Sequence, residues 1–350
     1  MSYEVIRVNP LEYKTEVLNL WTKNHPHLMD LLPKRFAWIY ENNPYGPPTS
    51  WLLRDNKSNA FIGTTSVIPR TMWINGEKVI AGIAADMMVD KNHRTLGPAL
   101  MLQRALVSTC EEGQYQFVYG FSPQAASTVQ LRAGFTSMGR CIRVLKVLST
   151  ERFSNKQKNN LTARLGSGIL DTCIKAADFI LSAKDLWQAG NLSTEILDSF
   201  DYRFDQFWEK VPKQNRVVGE KTAAYLTWRY TISPYNSHKV FTIINQAKDM
   251  RGYLIFSIVD QAIHIYDICT PDKIDPLLSL FILYVKKNYP AHSICFMLFE
   301  YCSIIPSLTR HLFVKRPDDL TIVTYCKKGF PSLNHTSLSW HLYAGDKDIG

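Results

Sequence analysis

The sequence predicts an α/β (α+β) fold made of two similar domains, each a mixed, mostly antiparallel sheet flanked by helices. Three observations predict this fold: an apolar run that ends in a glycine-containing loop, a pattern that recurs about 190 residues later, and a polar segment between the two copies. We expect a first domain at residues 1–148, a linker and connecting helix at 149–190, and a second domain at 191–350.

The composition describes a folded globular chain, with 46% hydrophobic and 12% aromatic residues. No apolar run reaches the ~18–20 residues that a membrane span needs, and the start lacks the features of a signal peptide, so we expect a cytoplasmic protein. The seven cysteines form no Cys-x-x-Cys pair, which favours buried free thiols over a zinc site or disulfides. A net charge of +9 without a long basic run favours small phosphorylated ligands over nucleic acid.

The first copy predicts a defined order of elements from its hydrophobic periodicity. A strand at residues 3–8 precedes helices at 10–21 and 33–42, and three antiparallel strands follow, the last at 79–89 after an Asn75-Gly76 turn. A helix, a strand at 114–120, a helix at 123–135 and a strand at 140–148 complete the copy.

The strand at 79–89 ends in a polar loop that opens directly into a helix. Pro98 suits the first turn of a helix, and Gly97 lets a ligand approach the backbone closely. Ala99 leaves room beside the helix, and Arg94 adds a positive charge. Because the N–H groups at a helix start bind phosphate oxygens, this loop predicts an anion site.

The pattern Val-x-x-x-x-Arg-x-x-Gly-x-Ala, from Val89 to Ala99, is similar to the acyl-coenzyme A (CoA) pyrophosphate loop of the GNAT (N-acetyltransferase) superfamily. The strand at 114–120, followed by a helix with small residues that ends in Gly134-Phe135, resembles the second cofactor element of that family. The resemblance covers roughly residues 50–148. Lys91 stands where the family often has proline, and Gln130 stands where it often has the tyrosine that protonates the departing thiolate.

The resemblance implies that acetyl-CoA or another short acyl-CoA is the co-substrate and that no metal is required. In the family, the backbone of the strand that corresponds to Met87, Met88 and Val89 holds the pantetheine and the thioester carbonyl. The predicted cofactor-binding residues are Met87, Met88, Val89, Arg94, Thr95, Leu96, Gly97, Pro98, Ala99 and Ser122.

Asp86 is the in-strand candidate for the general base, because a carboxylate in so apolar a run needs a reason to be there. The alternatives are that an arginine or the backbone satisfies Asp86, that a histidine (25, 27 or 93) accepts the proton, or that solvent does.

The resemblance makes the segment after the first strand the wall of the acceptor pocket. The C-terminal phrase resembles endings of two-domain members, some of which acylate nucleotide-linked amino sugars. The predicted acceptor-binding residues are His25, Asn43, Tyr45, Trp340 and Asp346.

The second half repeats a pattern of the first at an offset of 228 − 38 = 190 residues. Its equivalent of the phosphate loop has no glycine and carries Asp272 and Asp275, whose charges would repel a pyrophosphate. We therefore expect the second half to help form the acceptor site without binding CoA. The repeated residues are Trp38, Tyr40, Pro44 and Tyr45, matched by Trp228, Tyr230, Pro234 and Tyr235.

These observations predict an acyl-CoA-dependent N-acyltransferase. The predicted acceptor is the amino group of a dTDP- or UDP-linked amino deoxysugar of surface-polysaccharide synthesis, and the acyl group is acetyl or another short chain, hydroxybutanoyl included. A Fem-type tRNA-dependent aminoacyl transferase and a non-catalytic CoA-binding regulator are the alternatives. The first would need a basic helical arm, which the sequence does not show. The sequence leaves the oligomeric state open.

Overall fold

The computed structural model describes residues 2–149, 161–235, 237–331, 333 and 337–347. The first half follows the predicted order of elements, and its first helix begins four residues later than predicted. The reason is a turn in which the Asn9 carbonyl accepts the N–H groups of Glu12 and Tyr13. The elements are β1 (Tyr3–Val8), α1 (Lys14–Asn24), α2 (Leu32–Phe36), a π-helical turn (Ala37–Glu41), β2 (Thr49–Asp55), β3 (Ala60–Ile74), β4 (Glu77–Val89), α3 (Leu96–Glu111), β5 (Phe117–Pro123), α4 (Gln124–Arg132) and β6 (Thr136–Val147).

The second half repeats this order after a long connecting helix. Of the predicted linker and connecting helix at 149–190, residues 150–160 lie outside the described ranges, and the helix begins at Leu161. The elements are α5 (Leu161–Gln188), β7 (Ser193–Leu197), α6 (Tyr202–Lys210), β8 (Arg216–Gly219), α7 (Ala223–Leu226), a second π-helical turn (Thr227–Thr231), β9 (Lys239–Ile244), β10 (Met250–Val259), β11 (Ala262–Cys269), α8 (Ile274–Asn288), β12 (Ser293–Phe299), α9 (Ile305–Arg310), β13 (Val314–Cys326) and β14 (Ser339–His341).

The strands form one sheet, and the strand order is symmetric when equivalent strands of the two halves are matched. The order is β1-β2-β3-β4-β5-β13-β6-β12-β11-β10-β9-β7, with β8 joined to β3 and to β14. If β1 to β6 are matched with β7 and β9 to β13 in sequence, reversing the order exchanges the two halves. A pseudo-two-fold axis therefore passes between β6 and β13, and the predicted class of tandem, mostly antiparallel α/β domains is confirmed.

The two halves exchange their last strands across this axis. β13 of the second half pairs with β5 of the first half, and β6 of the first half pairs with β12 of the second. Each half therefore completes its sheet with a strand of the other, and the boundaries that we placed in the sequence stay a prediction.

The two π-helical turns meet at the axis through a reciprocal pair of hydrogen bonds. The Trp38 indole Nε1–H donates to the Trp228 carbonyl, the Trp228 Nε1–H donates to the Trp38 carbonyl, and both N···O distances are 2.7 Å. The ring centroids lie 5.5 Å apart, and both side chains are buried. The two partners are 190 residues apart, which is the offset that the repeated pattern predicts.

Several predicted absences concern the part of the chain that the structure describes. Within it, no helix is both long enough and apolar enough to span a membrane. No group of three or more potential metal ligands occurs there either. Six cysteines are free thiols: Cys110, Cys141, Cys269, Cys295, Cys302 and Cys326.

We predict that Trp228→Phe weakens the contact between the halves. The change removes the N–H that satisfies the buried Trp38 carbonyl, so the free energy of unfolding should fall by about 1–3 kcal/mol. Chemical denaturation followed by tryptophan fluorescence and circular dichroism measures the change. Trp187→Phe is the matched control, because Trp187 is 83% exposed. Equal effects of the two substitutions would contradict a special role for the reciprocal pair.

Candidate functional site

A cleft opens in the first half where β4 and β5 separate. The two strands pair in parallel only from Ala81 to Ile83 and from Phe117 to Tyr119, and beyond these residues they diverge. The gap holds a cavity of about 380 Å³. Ala84 to Met88 of β4, Phe121 to Pro123 of β5, Gln103 of α3, Ala126 and Gln130 of α4, His25, and Leu320 and Lys347 of the second half line it.

A β-bulge at the cleft bends β4. Thr64 pairs with Met88 and Ser66 pairs with Ala85, so Asp86 and Met87 stand opposite the single residue Thr65. Asp86 has φ = +55°, a left-handed conformation that aspartate adopts more readily than most residues. A bulge bends a strand and re-aims its residues, which places the backbone of Met87 and Met88 at the cleft.

The predicted phosphate loop lies at the start of α3. Thr95 is the N-cap in an extended conformation and its side chain makes no capping hydrogen bond, so the first N–H groups of the helix are not satisfied by that side chain. A Cβ built on Gly97 would meet no atom within 4 Å, so the backbone there is open to a ligand. Arg94 braces the loop, since its Nε donates to the Val89 carbonyl at 2.9 Å and its guanidinium to Asn24 Oδ1 at 2.6 Å.

The structure brings some of the predicted cofactor residues to the cavity. Met87, Met88 and Ser122 line it, and Val89 is buried at the end of β4 directly before the loop. The remaining predicted residues lie at the loop and the start of α3: Arg94, Thr95, Leu96, Gly97, Pro98 and Ala99. Their role in binding a cofactor stays a prediction.

Asp86 is held by two partners in a buried site. Its Oδ1 lies 2.8 Å from an Arg35 guanidinium nitrogen, and the Tyr40 hydroxyl donates to its Oδ2 at 2.7 Å. The exposed fractions of the Arg35 and Asp86 side chains are 5% and 2%. Burial raises the pKa of Tyr40, so this hydroxyl keeps its proton. The Asp86 carboxylate is the counter-ion of the buried Arg35 charge, and loss of one partner of such a pair is costly.

The second half contains an equivalent arrangement around Asp267. The hydroxyl of Tyr230, the counterpart of Tyr40, donates to Asp267 Oδ2 at 3.3 Å, and Lys221 Nζ lies 2.5 Å from the same oxygen. In each half, then, a buried aspartate of the sheet contacts both the tyrosine of the π-helical turn and a buried, positively charged side chain. Since the second half lacks the glycine loop, the repetition indicates a structural role for Asp86, one of the alternatives open at the sequence level.

His25 is the titratable residue of the predicted acceptor set that reaches the cavity. Burial lowers its pKa from the ordinary value of 6.5, and the nearby positive charges of His27, Arg35 and Arg94 act in the same direction. His25 is therefore neutral at physiological pH and its imidazole can accept a proton. His93, by contrast, contacts the Tyr3 hydroxyl at 3.2 Å and does not line the cavity.

The other predicted acceptor residues lie away from the cavity. Asn43 Oδ1 accepts the N–H of Tyr45 at 2.9 Å, and the Tyr45 hydroxyl donates to Glu220 at 2.6 Å. Trp340 is fully buried. Asp346 is also buried and forms an ion pair with Arg70 at 2.6 Å.

Neither Trp340 nor Asp346 lines the cavity, and their contact with the acceptor stays a prediction. The C-terminal phrase folds into the interior, where Asp346 also lies 3.4 Å from Lys221.

Two cavity residues, Gln103 and Lys347, were missed. Gln103 follows Ala99 by four residues on α3, so helical spacing could have placed it on the same face as Ala99. Nothing in the sequence places Lys347 at the cleft.

Comparisons with solved structures identify the fold. The chain superposes on a GCN5-related N-acetyltransferase from Anabaena variabilis with a TM-score of 0.64 and 12% identity, over 93% of this chain and 73% of the other. A probable N-acyltransferase of unknown function from Enterococcus faecalis gives a TM-score of 0.62 and 9% identity, over 93% and 72%. Saccharomyces cerevisiae N-myristoyltransferase with bound myristoyl-CoA and inhibitors gives 0.51 and 12%, over 93% and 79%.

No protein-family model matches the chain, and no curated protein matches it. At these identities the structural likeness shows the fold, which is the GNAT-superfamily fold with two tandem domains. The fold expected from the resemblance is thereby confirmed.

We predict that Asp86→Asn chiefly lowers stability. The amide cannot neutralise Arg35, so the free energy of unfolding should fall by about 3–5 kcal/mol, as is typical when one partner of a buried ion pair is removed. Urea denaturation measures this loss. Asp90→Asn is the matched control, because Asp90 accepts the Asn92 N–H at 3.0 Å in an exposed cap that asparagine can replace. A stability loss below about 0.5 kcal/mol for Asp86→Asn would contradict the structural role.

Proposed function

We propose that the protein is an acyl-CoA-dependent N-acyltransferase that binds its co-substrate in the cleft between β4 and β5. The observation that supports this proposal is the junction of the cleft with the open glycine loop at the start of α3. A pyrophosphate at the N-terminus of a helix of 16 residues would be stabilised by the N–H groups and the helix dipole. The cavity of about 380 Å³ would hold the reacting groups.

In the proposed reaction the acceptor amine attacks the thioester carbonyl, and the thiolate leaves. Backbone N–H groups of the bulged segment at Met87 and Met88 would bind the carbonyl oxygen as it gains negative charge. The backbone is suited to this because the bulge releases it from the regular pairing with β3. No side-chain cation is required for this step.

Proton transfer is assigned to His25. Asp86 is engaged by Arg35 and Tyr40, whereas His25 lines the cavity and is neutral. An amine must lose a proton to become a nucleophile, and a neutral imidazole accepts one. Gln130, at the tyrosine position, has no ionisable proton, so the thiolate would take its proton from the amine or from solvent.

The acceptor is proposed to enter from the side of Lys347. This residue lines both the cleft and a neighbouring cavity of about 180 Å³, whose wall includes Arg143 and His264. A basic path that leads away from an amine site suits an amine with phosphate groups at its other end. We retain a nucleotide-linked amino sugar as the proposed acceptor and a short acyl group as the donor, in a cytoplasmic protein.

A non-catalytic CoA-binding protein is the second candidate, and the absence of the tyrosine at Gln130 favours it. Such a protein would bind CoA in the same cleft without turnover of any amine. A Fem-type transferase has less support, since α5 carries three basic residues (Arg164, Lys175, Lys184) and three acidic ones (Asp171, Asp178, Asp185). A neutral helix is a poor arm for tRNA.

We predict that Gly97→Val abolishes acyl-CoA binding. The new side chain would occupy the open space that we assign to the pyrophosphate. Isothermal titration calorimetry should give one site per chain for the natural protein and no measurable heat for the variant. Leu96→Ala is the matched control, because Leu96 is 41% exposed and would contribute only its backbone N–H. Unchanged affinity in a folded Gly97→Val protein would refute the site, and two equal sites would refute the division between the halves.

We predict that His25→Gln lowers kcat by roughly one hundredfold and leaves CoA affinity unchanged. The neutral imidazole is the base and its pKa lies below 6.5, so kcat of the natural protein should fall as the pH drops through that lowered pKa. This acidic limb should be absent in the variant. His27→Gln is the control, since its ring is the neighbour of His25 at 6.1 Å and does not line the cavity. An acidic limb that persists in His25→Gln would assign the proton to another group.

A further inference from the structure

The second half contains a cavity at the place that the pseudo-two-fold axis relates to the cofactor cleft. We name it the second-half cavity; its volume is about 160 Å³. The end of β11, the start of α8 and the segment from β12 to α9 form it, as the end of β4, the start of α3 and the segment from β5 to α4 form the cleft. Residues 211–221 close it, at the offset of 190 from the segment around His25.

The second-half cavity is too small for a coenzyme. At the ~30 Å³ that a water molecule occupies, it has room for about five waters. At the start of α8, Asp275 lies 2.5 Å from Arg310, and Asp272 lies 2.5 Å from Arg251. These ion pairs stand at the place that corresponds to the glycine loop of the first half, and the lack of CoA binding by the second half stays a prediction.

Arg216 supplies a charge that the cavity itself does not neutralise. Within the described ranges, the Arg216 side chain makes no ion pair, whereas Lys221 is balanced by Asp267 and Asp346. Asp272 is balanced by Arg251. The charge of Arg216 acts on two groups of the cavity wall, His341 and Cys269. Arg216 itself lines the cavity together with His341 and Cys269.

The rest of the wall carries hydroxyl groups and a neutral histidine. Burial lowers the pKa of His341 to about 3, and the positive charges of Arg216 and Lys221 contribute to this shift. Ser303 and Ser307 also line the cavity, and their hydroxyl groups can donate hydrogen bonds. The wall thus combines one unbalanced guanidinium with neutral donors, which suits an anion and disfavours a cation.

We propose that the second-half cavity binds a small oxyanion, a phosphate or a short carboxylate, through Arg216 with the hydroxyls of Ser303 and Ser307. A planar guanidinium binds two oxygens of such an anion at once. The bound anion links β8, which carries Arg216, to the start of α9, which carries Ser307. Binding therefore stabilises the folded chain by RT ln(1 + c/Kd), where c is the concentration of the free anion, and this stabilisation increases with c. The proposal does not depend on the acyltransferase function.

The experiment titrates the whole chain with inorganic phosphate, and separately with succinate, at constant ionic strength. Saturating CoA is present to occupy the first-half cleft. Calorimetry should show one saturable site for at least one of the two anions, with a matching rise in the thermal midpoint. In Arg216→Gln the affinity should fall about tenfold or more, the loss expected for a charge-assisted hydrogen bond. Arg316→Gln is the matched control, since Arg316 is an exposed arginine of β13 that does not line the cavity.

A second variant keeps the test decisive if Arg216→Gln does not fold. Ser307→Leu fills the second-half cavity, leaves the charge in place, and should also abolish binding. Loss of the saturable site in these variants and its retention in Arg316→Gln support the proposal. Equal affinity in Arg216→Gln, or no saturable site for either anion in the natural protein, overturns it. If the chain fails to bind CoA, the anion titrations of the natural protein and of Arg216→Gln are compared without CoA, and their outcomes are interpreted in the same way.

Discussion

The reciprocal hydrogen bonds between Trp38 and Trp228 fix the relation of the two halves, and the rest of the architecture is consistent with that relation. Each indole satisfies a carbonyl of the other π-helical turn, and both groups are buried, so neither bond can be exchanged for water without cost. The axis that passes between these turns also passes between β6 and β13. Because each of these strands lies beside the fifth strand of the other half, neither half has a complete sheet by itself. The cleft between β4 and β5 in turn receives Leu320 and Lys347 from the second half.

Buried charges connect each π-helical turn to the sheet. Asp86 with Arg35 and Tyr40 in the first half, and Asp267 with Lys221 and Tyr230 in the second, are two versions of one arrangement. Arg70 and Asp346 extend the second version toward β3. Such ion pairs contribute little more to the free energy of unfolding than apolar residues would. A conformation that separates the two partners is strongly disfavoured, because it leaves a buried charge without a counter-ion. Asp86, although it lines the cleft, is therefore engaged by Arg35 and Tyr40 within the fold.

The two halves show how the same elements support different sites. Near α3 the first half has an open glycine backbone and a cavity of about 380 Å³, whereas the equivalent place near α8 has two ion pairs and a cavity of about 160 Å³. Much of the difference comes from side chains, since β1 to β6 correspond to β7 and β9 to β13, whereas β8 and β14 have no counterpart in the first half. Asp272 and Asp275 are repulsive to a pyrophosphate and attractive to Arg251 and Arg310 of their own half. Arg216 then remains as a charge available to a smaller anion.

The sequence by itself determined the order of elements, the offset of 190 between the copies, the glycine loop and the lack of such a loop in the second half. These properties depend on local periodicity, turn residues and charge, which are properties of short segments. It left the role of Asp86 open between catalysis and an ion pair, and it did not show that Trp340 and Asp346 are buried. Tertiary structure decided these points, because the partners of a buried charge come from distant segments: Arg35 lies 51 positions before Asp86 (86 − 35 = 51), and Arg70 lies 276 before Asp346 (346 − 70 = 276). The exchange of β6 and β13 was also decided there, since a strand pattern specifies which face is buried and not which neighbour it pairs with.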